Sequence, residues 1–319
     1  MRRSDVVDDT ALGEMPAERR LTGILLMCAA VACFALLDTS AKWLNRSVDP
    51  LLTTWARYVT SVAMISLVIN PVTVPGVLRT NRPGLQALRS LLLLLSTILN
   101  FFALSHLQLT QALSIQFAAP LLIALLAGPL MGEWAGARRL AAVAFGFCGV
   151  LVVTRPGFGG LPAAALLSVL GTVAYALYAL TTRMLAAHDG SRTTLFYSGI
   201  AGFLLLAPIV PFVWTTPQSL LVWVMLVAVG AFGSLGHWFL ILAHARAPAP
   251  VLSPFIYTEI IWMTALGFFV FGDVPDGWTI AGASIVISSG LYLLYRERAR
   301  RRGPKPRADD GLSNRSSSS

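Results

Sequence analysis

The sequence predicts an all-α integral membrane protein: ten transmembrane helices arranged as two inverted five-helix repeats, with both termini cytoplasmic. Three observations lead there. The chain is 56% hydrophobic and only 12% charged, with a mean hydropathy of +0.71, whereas a soluble protein carries roughly 25% charged residues. Its apolar residues fall into runs of about 20, the length a helix needs to cross the hydrocarbon of a bilayer. The short alternating segments of a membrane β-barrel are missing. Finally, the stretch ALSIQFAAPLLIALLAGPLMGEWAGARRLAAVAFGFCGVLVV (112–153) is echoed by VLSPFIYTEIIWMTALGFFVFGDVPDGWTIAGASIVISSGLYLL (251–294). Leu113-Ser114 answers to Leu252-Ser253, Gly132-Glu133 to Gly272-Asp273, and Gly149 to Gly290.

Residues 1–20 are polar, charged and aperiodic, and read as a cytoplasmic tail; no small-residue cleavage site follows, so the first apolar run reads as a retained helix. The spans are placed at 21–44, 52–70, 85–107, 111–131, 138–154, 161–182, 193–213, 219–242, 249–271 and 277–295. Turn signals separate them: Asn70-Pro71, Arg82-Pro83-Gly84, Arg155-Pro156-Gly157, Thr216-Pro217 and Gly272-Asp273-Val274-Pro275. Residues 296–319 are basic, then Ser-rich, and read as a disordered cytoplasmic tail. The organisation is therefore tail 1–20, first repeat 21–155, second repeat 156–295 and tail 296–319.

Lys and Arg assign the orientation. The tails and even-numbered loops, with Arg89 counted at the start of the third span, hold 20 of them; the opposite side holds Lys42, Arg46 and Arg155. This bias puts both termini in the cytoplasm, and it accounts for the net charge of +9 without nucleic acid. The repeat extends to its own beginning: CFALLDTSAKWL (33–44) aligns with AYALYALTTRML (174–185), and Asp49, Thr53 and Thr54 with Asp189, Thr193 and Thr194. Five spans per repeat is an odd number, so the two copies must lie in opposite orientations. Two such halves can exchange conformations and open a midplane site to either side in turn; a duplicated scaffold or receptor would be the non-transport alternative.

These residues, and the pattern ALSHLQLTQALSIQFAAPLLIALLAGPLMGE…GFCGVLVVTRPG, resemble the EamA branch of the drug/metabolite transporter superfamily over about 20–295. The resemblance implies a bacterial inner-membrane, multi-pass secondary carrier of a small molecule, with a central cavity lined mainly by spans 1, 3, 4, 6, 8 and 9. Finer stretches (DTSAKWL, TTWARY, GHWFLILAHARAPAPVLSPF, FGDVPDGWT) are similar to a subgroup that includes riboflavin and S-adenosylmethionine uptake carriers.

Ionisable groups inside spans are the sharpest candidates for function, because a charge there is costly without a purpose. Glu259 lies mid-span in FIYTEIIWM, with Phe255, Trp262 and Met263 on its helical face and Tyr257 in the same stretch. A carboxylate flanked by aromatics suits a planar heterocycle or an organic cation, or a proton-coupling step. Packing or assembly is the bland alternative. Asp38 and Arg57 fall at similar depth on neighbouring antiparallel spans, which suits a structural ion pair or a gate. Asn100 and Gln116 can hydrogen-bond a heterocycle edge or bridge helices. Tyr175 and Tyr178 share a face, and His237-Trp238 aligns with Leu99-Asn100; these four are further candidates for substrate binding. Gly146, Gly149, Gly282 and Gly290 suit close packing, within the bundle or across a homodimer seam. Pro120 and Pro254 suit hinges in spans 4 and 9.

Four histidines and three scattered cysteines show no metal-ligand spacing, and there is no Walker loop and no triad spacing. No cofactor and no enzyme activity is expected. The reading is uptake of a heteroaromatic nutrient, riboflavin ahead of S-adenosylmethionine. Export of amino acids or related metabolites is the alternative on the same fold, and a membrane enzyme or structural partner is the alternative from other classes.

Overall fold

The computed structural model describes residues 17–68, 76–134, 136–155 and 163–301. The tails before and after these, and the turns at Asn70-Pro71 and Pro156-Gly157, lie outside the described residues. Helices account for the regular structure, and no strand occurs among the described residues. In chain order they are α1 (Ala17–Leu44), α2 (Pro50–Val68), α3 (Pro83–Leu104), α4 (Leu109–Gln116), α5 (Ala119–Met131), α6 (Ala137–Thr154), α7 (Ala163–Leu185), α8 (Ser191–Leu206), α9 (Val210–Val213), α10 (Leu220–Arg246), α11 (Ala249–Ile256), α12 (Glu259–Leu266), a π-turn (Gly267–Phe271) and α13 (Gly277–Arg301).

Seven continuous stretches of these are long and apolar enough to cross a membrane, which makes this an all-α, multi-pass membrane protein. The ten expected spans exceed these seven because α6 and α8 hold shorter apolar segments and α2 interrupts its apolar run with Thr53, Thr54, Arg57 and Ser61. At its far end α13 continues as helix to Arg301, six residues into the stretch read as disordered tail. Arg and Ala are good helix formers, so the apolar run does not set its end.

Two long stretches are broken in the same way. Between α4 and α5 the chain tightens at Phe117-Ala118, where Ala118 N–H donates to Ile115 C=O (3.0 Å). Between α11 and α12 it tightens at Tyr257-Thr258, where Thr258 N–H donates to Phe255 C=O (3.2 Å). These are 3₁₀-type contacts inside otherwise α-helical runs, the geometry of a hinge. Pro120 lacks the N–H that would have reached Gln116, and Pro254 stands one turn before the second break. Both stretches then end on a left-handed glycine, Gly132 (φ 74°) and Gly272 (φ 72°). At each, the next residue's N–H reaches back six positions, Glu133 to Ala127 (3.1 Å) and Asp273 to Gly267 (3.0 Å). This stop satisfies the last carbonyls, and a side chain at the glycine would strain it.

The dominant packing pairs are α1 on α10, α3 on α7 and α6 on α13. Small residues draw the first of these close: Gly23 sits against Ala247, Gly233 against Leu37 and Gly236 against Phe34. The same contacts make α1 and α10 antiparallel. Arg89 against Thr182, with Gly171 against Leu99, does the same for α3 and α7. Asn45 Nδ2 donates to Phe101 C=O (2.7 Å), so α1 and α3 end together. The C-terminal end of α7 therefore lies at the opposite end of the bundle from that of α1. The end with Leu44 (here end A) holds a solid core of Leu44, Leu52, Phe101, Leu104 and Leu109, all buried. End B holds Arg89, Tyr178 and Arg183.

Gly149 and Gly282 meet inside the chain, where a methyl on Gly149 would come within 2.8 Å of Gly282 O. Gly146 meets Leu121 and Ser289, and Gly290 meets Tyr257. All four glycines are taken up by packing within the chain.

Candidate functional site

A cavity of about 270 Å³ lies in the half of the bundle toward end B, close to the lower end of the size of small-molecule sites. α2 contributes Arg57 and Tyr58, α3 Arg89, α7 Tyr178, α8 Ser198 and α10 His237 and Trp238. The walls are otherwise apolar, from residues such as Met64, Leu93 and Ile241. A few convergent polar groups in such a lining is the usual composition of a ligand site.

Arg89 is its most deeply held charge, 3% exposed. Nε donates to Thr182 Oγ1 (2.8 Å), Nη1 to Thr194 C=O (3.1 Å) and Ser198 Oγ (2.7 Å), and Nη2 to the Tyr178 hydroxyl (3.0 Å). The guanidinium also lies over the Tyr178 ring, 4.8 Å from its centroid. Arg89 was counted with the loop charges, yet it stands two turns inside α3. Gln86, Ser90, Leu93 and Thr97 share its buried face at helical spacing, and that polar stripe is the signal in the sequence that could have found it. Tyr58, also missed, is 4% exposed and places its hydroxyl 3.2 Å from Thr97 Oγ1.

Arg57 donates Nη1 to the same Thr97 Oγ1 at 2.6 Å. It forms no salt bridge with Asp38; both residues are described, and the expected ion pair is absent in this conformation. Asp38 instead accepts from Asn100 Nδ2 (3.2 Å), and Asn100 Oδ1 accepts from Gln116 Nε2 (2.7 Å). This relay ties α1, α3 and α4 together, with Asp38 within electrostatic reach of Arg57.

Glu259 is the first residue of α12, directly after the break. Free amides at a helix start favour a negative charge there. Its carboxylate accepts no hydrogen bond from the described residues, and it lies within electrostatic reach of Asp38 and Tyr175. Tyr175 is half exposed, nine residues and hence half a turn round α7 from exposed Leu166. Its ring centroid is 5.8 Å from that of Tyr178. His237 packs edge-on to Phe34 at 5.1 Å.

The structure thus brings Arg57, Tyr178, His237 and Trp238 onto one cavity, with Tyr175 beside it. It sets Asp38, Asn100, Gln116 and Glu259 in an adjoining polar layer. It turns two other candidates toward packing. Tyr257 is buried in an edge-to-face contact with Phe117 (5.0 Å) and fills the notch left by Gly290. Phe255 packs against the cluster of Met27, Val31 and Leu252. Trp262 stands exposed at 45%. No grouping of His, Cys, Asp and Glu among the described residues could hold a metal ion.

Two ends of the bundle carry matching ion pairs. At end A, Lys42 Nζ meets Asp273 Oδ2 at 2.5 Å, and Phe271 lies under both Lys42 (4.6 Å) and Arg46 (4.8 Å). Arg155 and Asp276 pair nearby. At end B, Arg183 grips Glu133 with both terminal nitrogens, at 2.6 and 3.0 Å. Lys42 and Asp273 are 13% and 24% exposed, Arg183 and Glu133 56% and 44%.

The profile of the EamA-like transporter family matches residues 21–155 and again 162–296. The chain belongs to this family. Among curated proteins it is 26% identical over 281 residues to an S-adenosylmethionine uptake transporter of Rickettsia prowazekii, covering 87% of this chain and 94% of that one. It is 27% identical over 292 residues to a riboflavin transporter of Vibrio cholerae (88% and 96%). It is also 27% identical over 304 residues to a riboflavin transporter of Rhizobium johnstonii (93% and 99%). A solved crystal structure superposes with a TM-score of 0.58 at 18% identity, over 89% of this chain and 98% of that one, a likeness of fold alone. As a family member the chain is a transporter and not an enzyme.

Proposed function

We propose that this EamA-family transporter imports a small heteroaromatic metabolite across a bacterial inner membrane by alternating access. In this reading it has ten spans in two inverted repeats, both termini are cytoplasmic, and end B faces the cytoplasm. The cargo named for its relatives is riboflavin or S-adenosylmethionine, and the aromatic cavity suits either.

The observation that carries the mechanism is the pair of matching ion contacts. In the aligned repeats Lys42 corresponds to Arg183 and Asp273 to Glu133, so Lys42–Asp273 and Arg183–Glu133 are copies of one contact at opposite ends. The packing supports the same relation: α1 on α10 and α3 on α7 are also copies, because α1 answers to α7 and α3 to α10. Both contacts are made in this conformation; the denser core and the less exposed Lys42–Asp273 pair make end A the more tightly closed end, with the cavity toward end B. Glu259 at the broken helix is placed to contact the cargo or carry a coupling proton, as discontinuous helices do in carriers.

The test is uptake of labelled riboflavin and labelled S-adenosylmethionine into proteoliposomes containing the full chain, with an amino-acid panel in parallel. Saturable uptake of either heteroaromatic compound supports the reading. Flux of amino acids alone would overturn it and favour the exporter.

A further inference from the structure

Two guanidinium groups face the cavity without a carboxylate on either. Arg89 uses four of its five N–H donors, all on neutral oxygens: Thr182, Thr194, Ser198 and Tyr178. These hold the group in place and leave its charge uncancelled. Arg57 uses one donor, on Thr97, and its remaining N–H groups meet no hydrogen-bond acceptor among the described residues. The ion pairs among the described residues take other cations, Lys42, Arg155 and Arg183. Arg89, buried in the span without a carboxylate, is costly, and Arg57, half-buried and hydrogen-bonded to no carboxylate although Asp38 lies within electrostatic reach, adds a second positive charge on the same cavity. Arg57, planar and half-buried, can offer a carboxylate or phosphate two parallel N–H groups.

We propose that Arg57 and Arg89 form an anion subsite in this cavity that takes a carboxylate or phosphate of the cargo, Arg57 by direct contact and Arg89 by charge. The inference rests on the reading of the chain as a carrier of a heteroaromatic metabolite and sharpens it. The polar layer next to the cavity carries Asp38 and Glu259, so the site presents cations on one side and carboxylates on the other, with Tyr175 and Tyr178 between. That arrangement matches a zwitterion bearing an aromatic base. S-adenosylmethionine has a carboxylate, two cationic centres and an adenine; riboflavin has no anionic group.

The experiment titrates purified full-length protein by calorimetry with matched pairs: S-adenosylmethionine against its decarboxylated form, riboflavin 5′-phosphate against riboflavin, and L-methionine against its amide. In every pair that binds, the anionic member is expected to bind about tenfold or more tightly, the size of a charge-assisted hydrogen bond. In Arg57→Gln the preference is expected to fall to about threefold or less, leaving only Arg89's charge. Should that variant not accumulate, the pairs on the unmodified protein decide. Equal binding within the pairs, tighter binding of riboflavin than of its phosphate, or no binding of any anionic member overturns the subsite. Anion preference in the methionine pair alone supports the subsite and sinks the heteroaromatic reading.

Discussion

Lys42 Nζ lies 2.5 Å from Asp273 Oδ2 at one end of the bundle, and its counterpart in the second repeat, Arg183, holds Glu133 at the other end. The two contacts join the same positions of the fold: a basic residue near the end of the repeat's first helix, and an acidic residue just past the glycine that stops the other repeat's broken helix. Both contacts are made in this conformation; if the two repeats exchange conformations, breaking one and keeping the other opens the bundle at one end or the other.

Substituting Lys42→Met is therefore expected to favour opening at end A. With the native cysteines replaced, labelling of Ser40→Cys by an impermeant maleimide should accelerate roughly three- to tenfold, the shift a partly exposed ion pair can produce. Arg183→Met should slow the same labelling, because it favours the opposite end. The exchange Lys42→Asp with Asp273→Lys should restore the native rate. Equal effects of the Lys42 and Arg183 changes would show that neither pair is a gate.

Glu259 begins a half-helix and accepts no hydrogen bond from the described residues. Glu259→Gln keeps its shape and removes its charge. Protein accumulation should stay at the unmodified level while uptake falls about tenfold or more, the loss of one charged contact, and the response to an imposed pH gradient should disappear. A variant that fails to accumulate would return Glu259 to a packing role.

The repeat and the two helix breaks could be read from the sequence because they rest on local chemistry. Glycines in left-handed turns, prolines without an N–H and aligned motifs each act within a few residues. Gly132 and Gly272 were paired from the sequence alone and end their helices with nearly the same φ. Glu259, Asp38 and Asn100 are legible as candidates in the sequence because polar groups stand out in apolar runs. Arg89 was misjudged because it lies near the start of an apolar run, where a loop charge and a buried charge look alike; only the hydroxyls of α7 and α8 across from it decide the matter. For Phe255 the case is the reverse: helical spacing puts it on the face of Glu259, but the 3₁₀ turn at Tyr257-Thr258 breaks that face, and Phe255 packs on Met27, Val31 and Leu252.

The seam between α6 and α13 offers a structural control. Gly149→Val places two methyl groups where Gly282 O and Val286 already sit. Overpacking of this kind costs about 1–3 kcal/mol, so the melting temperature of the purified protein should fall by several degrees. Affinity for cargo in the folded fraction should be unchanged, since neither helix lines the cavity. An unaltered melting temperature would mean that the two helices are free to move apart.

Asn100 stands between Asp38 and Gln116 with its amide direction fixed by both, donating to the carboxylate at 3.2 Å and accepting from Gln116 at 2.7 Å. Asn100→Asp removes the donor and sets a second carboxylate against the first. Leaving Asp38 without its partner costs roughly 1–3 kcal/mol, and like-charge repulsion adds to it, so stability and uptake should both drop. Asp38→Asn combined with Asn100→Asp exchanges donor and acceptor while keeping one charge and the bond from Gln116. If the relay holds α1, α3 and α4 in register, this double variant should recover most of the lost melting temperature. Recovery of uptake alongside it would mean that the layer needs one carboxylate at either position; stability without uptake would assign the charge at position 38 itself a part in handling the cargo.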